Sequence, residues 1–201
     1  MSRALDLMVD MDDVFFPLID NIHDIAFEEG LHDGSEPANN WCGWEQYGCP
    51  QDVYWALWET FMTRDGYLTT PPIEGAVEAL RFLSWEGHRI HVVTARGFFP
   101  DSAERIRAWT PQWLEEFAVP HTSLTFSHNK AEAQDVIGVR FDAAVDDSPK
   151  NWHVLDDAGV NVFLQDHGHN LAYPDIPADR RVPNLWEWAF KVEKLAGAHD
   201  E

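Results

Sequence analysis

An α/β fold is the architecture this sequence of 201 residues predicts: a parallel sheet with helices on both faces, interrupted once by a helical insertion. Three observations carry that expectation. Apolar runs of strand length alternate with stretches of helical periodicity, the alternation stops between residues 14 and 70, and polar residues collect where the apolar runs end. The length suits one full domain with a sizeable insertion, or two small ones.

Taken in order, Leu5–Asp10 reads as a short buried strand. Leu18, Ile22, Ile25 and Glu29 fall at helical spacing, and Gly30 stops that run. A stretch rich in Gly, Asn and Pro follows from Leu31 to Pro50, and Tyr54, Leu57, Trp58, Phe61 and Met62 form a second stripe. Two helices and a loop thus make a cap over residues 14–70, and residues 1–13 with 71–201 form the core. After Pro72, Ile73, Val77, Leu80 and Leu83 mark a helix and Arg89–Thr94 a strand. Asp101–Trp109 reads as a helix, and Thr110-Pro111 as the start of another, with Thr as N-cap and Pro at the first helical position. Thr122–Phe126, Phe141–Asp146 and Val160–Leu164 complete five strands, separated by helices beginning at Lys130 and at Ser148-Pro149. Asn184 and Glu187 cap a last helix carrying Leu185, Trp188, Val192 and Leu195 on one face.

Charge narrows the function classes. Lys and Arg total 14 against 35 Asp and Glu, a formal charge of −21, which repels nucleic-acid polymers and anionic membranes. Hydrophobic residues at 45% supply a packed core, so disorder is excluded. No apolar run approaches the length of a membrane span, and acids at Asp6 and Asp10 interrupt the place where a signal peptide is apolar. The expectation is a cytoplasmic globular protein. Cys42 and Cys49 make neither a disulfide framework nor a zinc set, and His167 and His169 have no further ligand at metal spacing, so that pair reads as a loop at the site's rim.

In a parallel sheet, chemistry collects at the carboxyl ends of the strands. Those ends carry Asp10 to Asp13, then Thr94-Ala95-Arg96, then Ser127 to Lys130, then Asp146-Asp147-Ser148. Ionised Asp10 can attack phosphorus as a nucleophile, and Asp12, held protonated, can donate to the leaving oxygen and later activate water. Asp10, Asp12, Asp146 and Asp147 present up to four negative charges to an incoming phosphate. A hard divalent cation such as Mg²⁺, together with Lys130, offsets them. Lys150, in the first turn after the acid pair, is a second candidate for phosphate contact.

This set resembles the haloacid dehalogenase superfamily of phosphohydrolases. DMDDV at Asp10–Val14, Thr94 in VVTAR, Lys130 and the acid pair in AVDDSP match its four motifs in order. The resemblance implies a Rossmann-like three-layer core with strand order 5-4-1-2-3 and a small helical cap after the first strand. It also implies Asp10 as nucleophile, Asp12 as acid and base, and Thr94 and Lys130 on the phosphoryl group. Mg²⁺ would be held by Asp10, the Asp12 carbonyl and Asp146, with Asp147 a ligand or one shell out. Asp13 stands where Gly is commonest.

A closer resemblance lies in WCGWEQYG at Trp41–Gly48, PPIEGAVEAL at Pro71–Leu80 and DDSPKN, which look like the 5′(3′)-deoxyribonucleotidase family. There an aromatic cap holds the nucleobase, which here implies Trp41, Trp44 and Tyr47. Trp55, Trp58 and Phe61 are further candidates, but their helical spacing reads first as cap core. VVTAR departs from that family's TSP-like second motif, and Arg96 becomes a substrate-phosphate contact or a surface ion pair. The expected activity is a Mg²⁺-dependent 5′-nucleotidase acting on (deoxy)nucleoside monophosphates through an aspartyl-phosphate. The alternative is a phosphatase of another small metabolite such as a sugar phosphate. The partner is a small phosphomonoester, with no nucleic-acid polymer and no membrane, and homodimer formation is left open. A phospho-accepting receiver module fails on order, because the third strand ends without an Asp to phosphorylate. An inert binding protein on this fold would be expected to lack the nucleophile or the Lys, and both are present.

Overall fold

The computed structural model describes residues 3–40, 42–97 and 102–197. Among them the chain forms β1 (Asp6–Val9), α1 (Leu18–Glu28), α2 (Gly43–Gln46), α3 (Gln51–Thr63), α4 (Gly66–Thr69) and α5 (Ala76–Trp85). Then come β2 (Arg89–Thr94), α6 (Ala103–Glu116), β3 (Ser123–Phe126), α7 (Ala133–Ile137), β4 (Ala143–Asp146) and α8 (Pro149–Asp157). β5 (Asn161–Gln165), β6 (Arg181–Val182) and α9 (Leu185–Gly197) complete the described order. The sheet runs β3-β2-β1-β4-β5-β6 and every pairing is parallel. The expected five-strand order is present, extended by one two-residue edge strand.

Strand periodicity divides the core between the two faces. Leu7, Val9, Val92, Ala143 and Val145 join one buried cluster, and Met8, Val93, Ala144, Val162 and Leu164 join the other. The first cluster also takes in Ile22 and Ile25 of α1 and Tyr54, Leu57 and Phe61 of α3. The cap is therefore anchored in the same apolar mass as the sheet. Trp113 stitches the two together. It is fully buried, stands edge-on to Phe16 at 5.2 Å, and donates its indole N–H to the Thr70 carbonyl at 2.7 Å.

Three local expectations change. Thr110-Pro111 does not begin a new helix, because α6 runs straight through it. A proline inside a helix costs about 3 kcal/mol. Ile106, Thr110, Trp113 and Leu114 form one buried stripe across it, and burying the three apolar chains returns roughly 1.5–3 kcal/mol each. The helix of the third motif begins at Ala133 rather than Lys130, which leaves Lys130 in the preceding turn. Residues 14–70 hold four helical segments instead of two, since α2 forms within the Gly-rich loop and α4 follows Asp65.

Gly43 shows why α2 forms where it does. A Cβ there would lie 2.2 Å from the Tyr54 ring, so only glycine lets α2 lie flat on α3. Gly43→Ala should destabilise the protein by about 1–3 kcal/mol through overpacking. Urea denaturation measures this, and an unchanged midpoint would mean that α2 is not seated on Tyr54.

Candidate active site

β1 lies between β2 and β4, so its carboxyl end faces the crevice where the strand order reverses. The chain leaves β1 with the Asp10 N–H still bonded to the Val145 carbonyl at 3.0 Å, which fixes Asp10 beside β4. It then turns sharply at Asp13, whose φ of 58° lies in the left-handed region. This is the position where the resemblance leads one to expect Gly, and Asp accepts the conformation more readily than most residues. The Asp13 side chain also accepts the Ile19 N–H at 2.9 Å, within the first turn of α1.

Asp10, Asp146 and Asp147 converge. Each is buried, and each offers a carboxylate oxygen such that the three atoms lie within 4.8 Å of one another. Lys130 reaches them from the turn before α7. Its Nζ donates to Asp10 Oδ1 at 2.5 Å, also bonds the Val93 carbonyl, and lies 3.9 Å from Asp146 Oδ2. Asp146 accepts from the Ser148 N–H at 2.9 Å and from Asn151 Nδ2 at 3.0 and 3.1 Å. Asp147 is held from another direction, by His169 Nε2 at 2.9 Å.

Burial dominates the electrostatics of this cluster. It raises Asp10, and it raises Asp146 and Asp147 well above the ordinary carboxylate value of 3.8, with the Asp10 charge adding to both. Asp13 is raised in the same way, by burial and then by Asp147. Burial pulls Lys130 down, but Asp10 and Asp146 outweigh it and its net shift is upward. Burial lowers His169 to about 4, so it meets Asp147 as a neutral imidazole. One lysine cannot balance three carboxylates. An all-oxygen donor set at this spacing fits a hard divalent cation.

The expected Asp12 carboxylate is not in that cluster. It faces Arg96, whose Nε donates to Asp12 Oδ1 and Oδ2 at 2.9 and 3.1 Å and whose Nη2 donates to Oδ1 at 2.6 Å. These bonds from the guanidinium fork hold the Asp12 side chain on the Arg96 side of the site. The pair is not on the surface either: the Arg96 side chain is 1% exposed and lies over the Phe16 ring at 4.0 Å. Its Nη1 is buried and has no hydrogen-bond partner among the described residues. The Thr94 hydroxyl accepts the Arg96 N–H at 3.2 Å, which fixes the second motif's loop.

A cavity of about 400 Å³ opens above these groups. Asp10, Asp12, Asp147 and Arg96 line its base, and Trp44, Tyr54, Trp55 and Trp58 line it from the cap. Trp55 and Trp58 thus face the cavity, where helical spacing alone assigns them to the cap core, whereas Phe61 is core as expected. α3 buries Tyr54, Leu57 and Phe61, so its aromatic stripe is wider than its buried face. Trp41 lies outside the described residues. Tyr47 is not among the lining residues; it bonds His23 at 2.9 Å and stacks on His32, bracing the loop behind Trp44. Lys150 is exposed and does not line the cavity. Asn151 lies in the DDSPKN stretch and His169 in the loop read as the site's rim, but their bonds to Asp146 and Asp147 arise only through folding.

The sheet order, the helical insertion after β1 and the four polar clusters at the strand ends define a haloacid dehalogenase-like protein. A hydrolase of that class from Streptococcus pneumoniae superposes with a TM-score of 0.60 at 13% identity, covering 94% of this chain and 98% of its own. A D,D-heptose 1,7-bisphosphate phosphatase from B. bronchiseptica, crystallised with magnesium and phosphate, gives 0.54 at 12% identity, covering 94% and 99%. The family described as 5′ nucleotidase, deoxy (pyrimidine), cytosolic type C protein matches residues 3–182, and the chain belongs to that family. An inferred 5′(3′)-deoxyribonucleotidase from Chlorobaculum tepidum is 29% identical over 126 residues, 55% of this chain and 59% of that protein. An inferred nucleotidase from Oceanobacillus iheyensis is 27% identical over 115 residues, 57% and 59% respectively. The matched stretch thus spans about three fifths of each of these two relatives. No helix among the described residues is long and apolar enough to cross a membrane.

The raised carboxylates have a consequence for pH. The folded state keeps protons that the unfolded chain releases near 3.8, so cation-free stability should fall as pH rises above that value. A bound cation takes the place of those protons. The rise in melting temperature caused by Mg²⁺ should therefore grow from mildly acid to neutral pH, with protons released on binding. Calorimetry in buffers of different ionisation enthalpy measures both, and a pH-independent Mg²⁺ effect would contradict the buried-carboxylate account.

Proposed function

We propose that the protein is a divalent-cation-dependent phosphomonoesterase acting on nucleoside monophosphates. One observation carries the reading: a single cavity has the carboxylates of Asp10, Asp12 and Asp147 at its base, Asp10 being bonded from behind by the buried Lys130, and three tryptophans on its cap wall. In this reading residues 14–70 are the cap and residues 1–13 and 71–201 the catalytic core. Asp10, Asp146 and Asp147 would hold the cation, Mg²⁺ being the hard ion that suits oxygen donors and substrate phosphate. The Asp12 carbonyl would be a further ligand. When bound, the cation supplies positive charge that lets a phosphate approach the carboxylates.

The chain's own residues do the rest. An Asp10 carboxylate oxygen attacks phosphorus, and the bond from phosphorus to the sugar oxygen breaks. Asp12 gives that oxygen its proton, then takes one from the water that hydrolyses the aspartyl-phosphate and frees inorganic phosphate. Because the Asp12 side chain is bonded to Arg96, its acid step, from the protonated form, needs Arg96 to yield part of that pairing. The unpartnered Arg96 Nη1 is the atom suited to meet a substrate oxygen as this happens. Lys130 and Thr94 would hold the phosphoryl oxygens.

Trp44, Trp55 and Trp58 give the reading its substrate. An aromatic face on a base contributes roughly 1–3 kcal/mol, which a base-free sugar phosphate cannot gain. Phosphate release across nucleotides and sugar phosphates, with Mg²⁺ and with chelator, tests the proposal. A nucleoside monophosphate should exceed ribose 5-phosphate about ten- to a hundredfold in kcat/KM, and Asp10→Asn should abolish turnover. Trp55→Ala should erase the nucleotide preference and leave para-nitrophenyl phosphate hydrolysis nearly unchanged. Equal cleavage of nucleotides and ribose phosphate would favour a sugar phosphatase instead.

A further inference from the structure

The two acidic residues that end β4 are held by different parts of the chain. Asp146 is held by the start of α8, through Ser148 and Asn151. Asp147 lies one residue beyond the strand, where the ladder no longer fixes its direction. Its carboxylate is 4% exposed and accepts from His169 Nε2, itself 2% exposed, at 2.9 Å. Its carbonyl accepts from Asn170 Nδ2 at 2.8 Å. Both donors come from the 3-10 turn Gly168–Asn170, which follows β5.

That turn is itself rigidly braced. Asn170 Nδ2 also bonds the Gln165 carbonyl at 2.7 Å, and Asn170 Oδ1 accepts the His167 N–H at 3.1 Å. The His167 and His169 rings lie parallel within 3°, with centroids 5.4 Å apart. Gly168 sits directly on the cap loop, where a Cβ would fall 2.3 Å from the Ala38 carbonyl oxygen. The cap loop is tied onward to α2, since the Asn39 N–H bonds Gln46 at 2.9 Å. The imidazole is thus fixed from the strand, from its neighbour ring and from the cap.

We propose that His169 is a positioning residue for the cation site: its N–H bond aims the Asp147 carboxylate at the position shared with Asp10 and Asp146. The role rests on the cation reading given above. Outer donors of this kind govern metal affinity by about ten- to a hundredfold when removed. The bracing by Gly168 adds a second consequence, that the aim of Asp147 is set against the same loop that carries the cap's α2.

Mg²⁺ titration of the whole protein by isothermal calorimetry, with melting curves recorded without metal, tests the proposal. His169→Phe keeps a ring against His167 and removes the donor; His169→Gln keeps an N–H at the reach of Nε2 and removes the ring. His169→Phe should bind Mg²⁺ about ten- to a hundredfold more weakly than wild type, and His169→Gln within about threefold of it. A purely structural role would lower the metal-free melting temperature of both variants and leave the affinity of the folded protein unchanged, and that result overturns the proposal. If His169→Phe fails to fold, His169→Leu, which also removes the donor, takes its place: affinity at least about tenfold below that of His169→Gln supports the donor role, and equal affinity of the two overturns it. Wild-type protein that takes up no Mg²⁺ would overturn the cation reading and the role of His169 with it. Wild-type uptake matched by His169→Phe would overturn only the role of His169.

Discussion

Three buried carboxylates at the ends of two adjacent parallel strands repel one another, and the rest of the site is arranged around that repulsion. Lys130 is drawn out of solvent, its side chain 1% exposed, to reach Asp10, a placement that an amine tolerates only beside compensating charge. Asn151, Ser148 and His169 direct their donors to the acid pair. Burial, and then the charge of Asp10, raise Asp146 and Asp147 well above the ordinary carboxylate range, and an oxygen-seeking cation suits the space between the three.

The second acid after β1 obeys a different logic. Asp12 is removed from the cluster by Arg96, and that pair sits where the sheet meets the cap, with the guanidinium between Asp12 and the rings of Phe16 and Tyr67. Cation–π contact and a carboxylate fork together hold a charge at a junction that is otherwise apolar. A group placed between the reacting end of the cavity and its aromatic wall is suited to sensing both. Cap and core are therefore joined by side chains of the site as well as by the apolar cluster beneath it, and the Gly168 contact with Ala38 joins them a second time on the opposite side of β1.

The parts legible in the sequence are those that depend on local pattern. The strand ends at Asp10, Thr94 and Asp146 could be read because a parallel sheet turns apolar runs into strands and exposes the polar residues at their carboxyl ends. The helix start at Ser148-Pro149 and the cap at Asn184 were legible from local pattern too, and α8 begins at Pro149 while Asn184 accepts the Glu187 N–H. The features that stayed hidden depend on tertiary contact. Pro111 reads as a helix start until Trp113 and Leu114 are known to be buried on the same face as Ile106. Trp55 and Trp58 share one helical stripe with Leu57 and Phe61, and only the width of the cavity separates lining from core. His169 sits 22 residues from Asp147 in a loop without ligand spacing, so nothing short of the fold joins them.

The proposed function turns on Asp10 as the nucleophile that accepts the phosphoryl group, with the acid pair at the end of β4 holding a cation beside it. A crystal structure of the protein with Mg²⁺ and beryllium fluoride, a mimic of a phosphoryl group on a carboxylate, tests this most directly. The account predicts beryllium joined to an Asp10 carboxylate oxygen, with Mg²⁺ bound at about 2.1 Å by oxygens of Asp10 and of Asp146 or Asp147. Beryllium on another side chain, or Mg²⁺ bound away from the acid pair, would contradict it.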